Sequence, residues 1–134
     1  MLFRSLDLSG QPVPRSPKES VSVGATYGWN LPNAFGKLEL TGEAYYEAKN
    51  LFYTSAAGRQ YDAYLNSKTL LSANLGYTSE DGRYFARVYG KNLSDQRYRI
   101  ASQSVAQLWT HTQWGEPRNL GIQFGMKFGS AAGK

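Results

Sequence analysis

Apolar and polar side chains alternate at every second position in five stretches of this chain. A strand sends successive side chains to opposite faces, so this period predicts β-strands with one apolar face each. In the first stretch Val21, Val23, Ala25, Tyr27 and Trp29 share a face opposite Ser20, Ser22, Gly24, Thr26 and Gly28. In the second, Leu38, Leu40, Gly42, Ala44 and Tyr46 oppose Lys37, Glu39, Thr41, Glu43, Tyr45 and Glu47. The third sets Leu71, Ala73, Leu75 and Tyr77 against Leu70, Ser72, Asn74 and Gly76. The fourth, less cleanly sorted, sets Tyr84, Ala86, Val88 and Gly90 against Arg83, Phe85, Arg87, Tyr89 and Lys91. In the last, Leu120, Ile122, Phe124, Met126 and Phe128 alternate with Asn119, Gly121, Gln123, Gly125 and Lys127, which predicts a closing strand that ends at Phe128.

The links between these strands are short, long, short and long. Residues 30–36, with Pro32, Asn33 and Gly36, and residues 79–82 carry turn chemistry. Residues 54–69 and 95–118 are too long for turns. That order is expected of an antiparallel up-and-down meander with tight turns at one rim and extended loops at the other. The fold class expected is therefore all-β, a meander of about five long amphipathic strands. Residues 10–17, which contain Pro12, Pro14 and Pro17, read as a loop, so residues 1–18 are expected to be loop and the remnant of an upstream strand. The strands occupy 19–128, and residues 129–134 are expected to form a flexible tail.

Composition agrees with this division. With 134 residues, 41% hydrophobic and 19% charged, the chain falls in the folded class and has the length of one small domain. Its 14 Gly, 10 Tyr and 3 Trp suit strands joined by turns. The absence of Cys removes disulfides, thiolate metal sites and thiol redox chemistry. No run of about 18 apolar residues is present, so no membrane-spanning helix is expected. The net charge of +5 is spread through strands and loops, not gathered in one basic run, and no nucleic-acid partner is expected.

A soluble sandwich also alternates, with its apolar face turned to a core, so alternation alone leaves both solvents open. The aromatics favour a membrane. Trp29, Tyr77, Tyr84 and Phe128 all fall at the strand ends nearest the short turns, as the amphipathic rings of an interfacial girdle do. Alternating runs of about 9–11 residues are long enough to cross the hydrocarbon when tilted. Glu39, Glu43 and Glu47 beside Lys37 and Lys49 would be costly against lipid but ordinary in a hydrated lumen. The expected architecture is thus a partial transmembrane β-barrel.

At the end of the fourth strand, Gly90-Lys91-Asn92-Leu93-Ser94-Asp95-Gln96-Arg97-Tyr98 resembles the G-x-N-L-x-D-x-x-Y segment near the end of TonB-dependent receptors. Gly10-Gln11-Pro12-Val13-Pro14 through Pro17 is similar to that family's G-x-x-x-P-x-x-P loop, and Gly115-Glu116-Pro117-Arg118 keeps its order before the closing strand. The resemblance covers nearly the whole chain. It implies a location in the outer membrane of a Gram-negative bacterium and a role in importing iron–siderophore complexes or a similar scarce nutrient, without catalysis and without a cofactor. Such receptors are 22-stranded barrels with a plugged lumen, and this chain matches about the last five strands, so it is expected to be a fragment of a transporter. Its implied partners are outer-membrane lipid, the rest of the barrel and plug, the TonB energy-coupling complex acting through that plug, and the barrel-assembly machinery. Asn119, Gly121, Phe124, Met126 and Phe128 resemble the terminal signal that this machinery reads, although residues 129–134 extend past the usual aromatic end.

Ligand contacts in such a receptor would come from the long loops. Arg59, Tyr61 and Tyr64 in one, and Trp109, His111, Trp114 and Arg118 in the other, offer aromatic and guanidinium groups suited to a siderophore or sugar. His111 stands without a second His or any Cys nearby, which makes it a poor metal ligand, and no metal is expected. Asn92 and Asp95 fit a strand-to-loop transition better than chemistry, and no nucleophile, base and orienter can be assembled by spacing. Two other readings remain open: a small standalone or oligomeric outer-membrane pore, and a soluble β-sheet carbohydrate-binding module. A defined oligomer in detergent would mark the first, and a monodisperse chain in plain buffer the second.

Overall fold

The computed structural model describes residues 9–10, 12–53, 64–105 and 108–128. The upstream strand remnant expected before residue 9, the tail from 129 onward, and Arg59 and Tyr61 lie outside the described residues. Within them the chain is all-β apart from a short 3-10 turn at Pro32–Ala34. The strands are β1 (Ser20–Asn30), β2 (Lys37–Glu47), β3 (Asn50–Leu51), β4 (Tyr64–Leu65), β5 (Lys68–Thr78), β6 (Tyr84–Lys91), β7 (Arg99–Val105), β8 (Trp109–Trp114) and β9 (Asn119–Met126).

A five-stranded sheet has the order β1-β2-β5-β6-β9, and two-stranded ribbons pair β3 with β4 and β7 with β8. Sheet neighbours follow one another along the chain once the ribbons are set aside, which is the expected meander. The ribbons were not expected, because the long links that hold them read as loops. In β7 and β8 polar residues crowd both faces (Arg99, Ser102, Gln103, then Thr110, His111, Thr112, Gln113), so no period-2 signal marks them. Cross-strand pairing, with Ser102 opposite Thr112 and Gln103 opposite His111, holds that ribbon instead.

The chain divides into two compact units. The sheet unit draws on Ser22–Tyr45, Thr69–Gln96 and Pro117–Lys134, and the ribbon unit on Met1–Val21, Tyr46–Lys68 and Arg97–Glu116.

In the sheet unit the antiparallel register brings like side chains together. Leu75 faces Val88, which faces Ile122; Tyr77 faces Ala86, which faces Phe124. On the opposite face Gly76 is level with Arg87 and Gln123, and Asn74 with Tyr89 and Gly121. A slip of one residue would exchange every one of these faces, so the alternation itself specifies the register. Tyr89 and Phe85 lie flat across Gly121 and Gly125, where an added Cβ would run into the rings. The rings thereby cover backbone that glycine leaves bare.

Both short links are hydrogen-bonded turns. Leu31 N–H donates to the Gly36 carbonyl, and Gly36 adopts φ of +111° against the backbone of Thr78 and Ser79, where a Cβ would clash. Tyr77 OH donates to the Phe35 carbonyl, so the first turn rests beside the start of the second. There Ser79 N–H donates to the Tyr84 carbonyl and Gly82 N–H to Ser79. The closing strand ends at Met126, not at the expected Phe128. Its partner β6 begins at Tyr84, opposite Met126, and only one further bond, Lys127 N–H to the Arg83 carbonyl, extends the pairing.

The sheet unit has no core of its own among the described residues. The only buried hydrophobic side chains described, Leu51 and Leu65, belong to the ribbon unit.

Candidate functional site

The apolar face of the sheet is uncovered. Val23 is 62% exposed, Val88 52%, Ile122 66% and Phe124 78%, although all carry β-branched or aromatic side chains that a soluble sheet would bury. Of the expected girdle residues, Trp29 is the penultimate residue of β1 and Tyr77 that of β5, Tyr84 opens β6, and Phe128 follows β9. All four thus sit at the end of the sheet that carries the two short turns. Tyr27 and Trp29 share a face with ring centroids 5.6 Å apart. Of the terminal-signal residues, Asn119 opens β9 opposite Lys91, Gly121 accommodates the Tyr89 ring, and Phe124 and Met126 alternate on the uncovered face.

The other face is polar. Lys37 and Glu39 pair at 3.2 Å in the open, an arrangement that contributes little to stability. Two grooves of about 340 and 640 Å³ lie along this face, and Arg87 lines both of them. Its neighbours in register, Gly76 and Gln123, leave the guanidinium room, while Glu43 borders one groove and Glu39 the other. Such a surface can hydrate, or accept hydrogen-bonding solutes.

In the turn after β5, Asp81 accepts hydrogen bonds from Ser79 Oγ and Arg83 N–H and lies 3.7 Å from Arg83 Nε. The Ser79 bond first, then the Arg83 amide and charge, hold its carboxyl below the ordinary 3.8.

The segment after β6 is a structural hinge between strand and loop. Asn92, with φ of 48°, receives Gln96 N–H on Oδ1 and donates through Nδ2 to the Gln96 carbonyl. Asp95, with φ of 51°, accepts from Arg118 N–H, and Leu93 N–H donates to the Leu71 carbonyl. Left-handed backbone favours Asn and Asp among non-glycine residues, which accounts for their placement.

Among the described loop candidates, those on β8 do not share one face. Tyr64 lies in β4 beneath Lys49, whose Nζ is 4.6 Å from the ring centroid. Trp109 and His111 share one face of β8 with rings edge to face, whereas Trp114, under the Arg99 guanidinium, falls on the other face. Arg118 belongs to the sheet unit, where its amide serves Asp95. Among the described residues no group of three or more His, Asp or Glu could hold a metal.

Sequence reasoning passed over the polar interior of the ribbon unit. Lys68 Nζ lies 3.2 Å from Glu47 Oε2 with both side chains largely buried, and Asn50 Nδ2 donates to Glu47 Oε1 at 2.9 Å. The Lys68 ammonium also sits over the Tyr98 ring, and the Arg15 guanidinium over Phe52. A strand that carries Glu47 into a two-residue ribbon at Asn50 offers no motif, so only the fold reveals this cluster.

No protein-family model matches the chain, and neither a curated protein nor a solved structure matches it significantly.

Proposed function

We propose that the chain forms part of the wall of an outer-membrane β-barrel of the TonB-dependent receptor kind, serving nutrient import and not catalysis. The carrying observation is the uncovered apolar face, in register across β5, β6 and β9, on a sheet unit with no described buried hydrophobic residue. Exposed contiguous apolar surface of this kind marks contact with lipid or another protein. Lipid is favoured because aromatic rings gather at the turn end and because β1, β2 and β5 are each 11 residues long, enough to cross the hydrocarbon. The polar face, with Arg87, Glu39 and Glu43, then lines a hydrated interior. Among the described residues β1 and β9 are the open edges of the sheet, and in this reading further strands complete the wall. The receptor assignment rests on the segment from Gly90 to Tyr98, whose Asn92 and Asp95 build the strand-to-loop turn.

The test is insertion into liposomes, read by co-flotation and protease protection. Ile122→Arg places a charge in the middle of the lipid face, at a cost of about 2–4 kcal/mol, and should abolish insertion. Gln123→Arg, one residue away on the lumen face, should insert like the unsubstituted chain. Equal behaviour of the two variants would refute the assignment of faces to lipid and lumen.

A further inference from the structure

The polar face of the sheet sorts its charges by strand. On this face β2 carries Glu39 and Glu43, β6 carries Arg87 and Lys91, and β5 between them presents the uncharged Ser72, Asn74 and Gly76. The register keeps the two charged strands level, because the Glu39 carbonyl lies beside Gly76 and Gly76 pairs with Arg87. Neighbouring strands are about 4.8 Å apart, which places β2 and β6 roughly 10 Å from each other. Lys37 already pairs with Glu39, whereas Glu43, Arg87 and Lys91 have no ionic partner among the described residues. These three line one groove of about 340 Å³, a volume in the range of small-molecule sites. Glu43 stands on one side, Arg87 and Lys91 on the other, with Ser72 and Asn74 between them. Tyr89, whose ring lies across Gly121, also borders the groove.

The arrangement of charge narrows the occupant. A divalent cation would find one carboxylate and two repelling cations. A simple anion would suit Arg87 and Lys91 but would be repelled by Glu43, and a neutral solute would use none of the three charges. Two separated cations facing one carboxylate are complementary to a molecule that carries two carboxylates and one ammonium. We propose that this groove binds an α-amino dicarboxylate, glutamate or aspartate, with its ammonium toward Glu43 and its carboxylates toward Arg87 and Lys91. The methylene chain of such a ligand is short enough to lie over Ser72 and Asn74 beside Tyr89. All of these residues belong to the sheet unit, and the site does not depend on what the apolar face meets.

The full chain, folded in an uncharged maltoside detergent, would be titrated with L-glutamate and L-aspartate and followed by calorimetry and saturation-transfer NMR. At least one should bind saturably, with a Kd of about 1–10 mM because the charges that meet it are exposed. The tighter ligand is then compared with a relative that lacks the ammonium (glutarate or succinate) and one that lacks the second carboxylate (glutamine or asparagine). Each relative should bind about fivefold more weakly, the effect of one exposed charge pair. Glu43→Gln should abolish the preference over the dicarboxylate without the ammonium. Arg87→Gln and Lys91→Gln should each abolish the preference over the amide. Lys18→Gln, which removes one positive charge in the ribbon unit, should leave both preferences unchanged. The amide spectrum verifies the fold of each variant, and should Arg87→Gln not fold, Lys91→Gln decides. Absence of saturable binding by both amino acids overturns the proposal, as does a Glu43→Gln chain that still prefers the amino acid over the plain dicarboxylate. Tighter binding of inorganic phosphate than of either amino acid, or an equal response in Lys18→Gln, overturns the ligand class.

Discussion

Asp81 shows how a single side chain closes a turn. Its carboxylate gathers Ser79 Oγ and Arg83 N–H, while Tyr84 N–H returns a bond to Ser79 Oγ. Because these donors favour the charged form, the folded chain holds Asp81 below the ordinary 3.8. A depressed carboxyl stabilises the fold fully above the ordinary value, and that contribution is lost as pH falls through the lower folded value. The unfolding midpoint should therefore decline below about pH 4, and Asp81→Asn should flatten that part of the profile. An NMR titration of the Asp81 carboxyl checks the direction of its shift, and an ordinary midpoint would contradict it. At the same scale, Trp109, His111 and Trp114 show why residue type alone does not make a site: strand alternation sends Trp114 away from the other two.

At the scale of elements, the passage from β6 into the following loop depends on Asn92. The residue is buried, adopts left-handed backbone and exchanges two hydrogen bonds with Gln96, whose own Oε1 receives Thr69 N–H. Ser94 Oγ reaches the Thr69 carbonyl, so the turn is tied to the start of β5. Asn92→Gly should retain the backbone conformation and lose only the side-chain bonds, costing about 1–3 kcal/mol. Asn92→Ala should cost more, because it adds the strain of left-handed backbone. Urea denaturation in detergent would measure both, and an alanine variant as stable as the glycine variant would exclude the backbone contribution. This turn was legible in the sequence because Asn and Asp at such spacing announce it. Ribbons β3-β4 and β7-β8 were not, because two-residue strands and strands polar on both faces carry no period.

For the whole molecule, what matters is surface that the described chain does not cover. An apolar sheet face and the open edges of β1 and β9 both invite association in water. In plain buffer the chain should therefore associate into large species, and detergent above its micellar concentration should disperse it. Light scattering behind size exclusion distinguishes these states. A monodisperse monomer in buffer would instead support the soluble carbohydrate-binding reading, and a discrete oligomer in detergent the pore.

The amino-acid sequence by itself determined the five long strands, their faces, their meander order and the turns that join them. Each of these depends on local alternation or on residues a few positions apart. It placed the ends of β1 and β2 within a residue, and missed the end of β9 by two because pairing with β6, not hydrophobicity, stops that strand. Tertiary structure alone decided the rest. Asn50, Arg15 and Gln113 meet at one cavity only after segments far apart in the chain have folded together, and no spacing announces such a meeting. The aromatics of β8 divide between its two faces for the same reason: composition says which groups could bind a ligand, but backbone pairing says where they point.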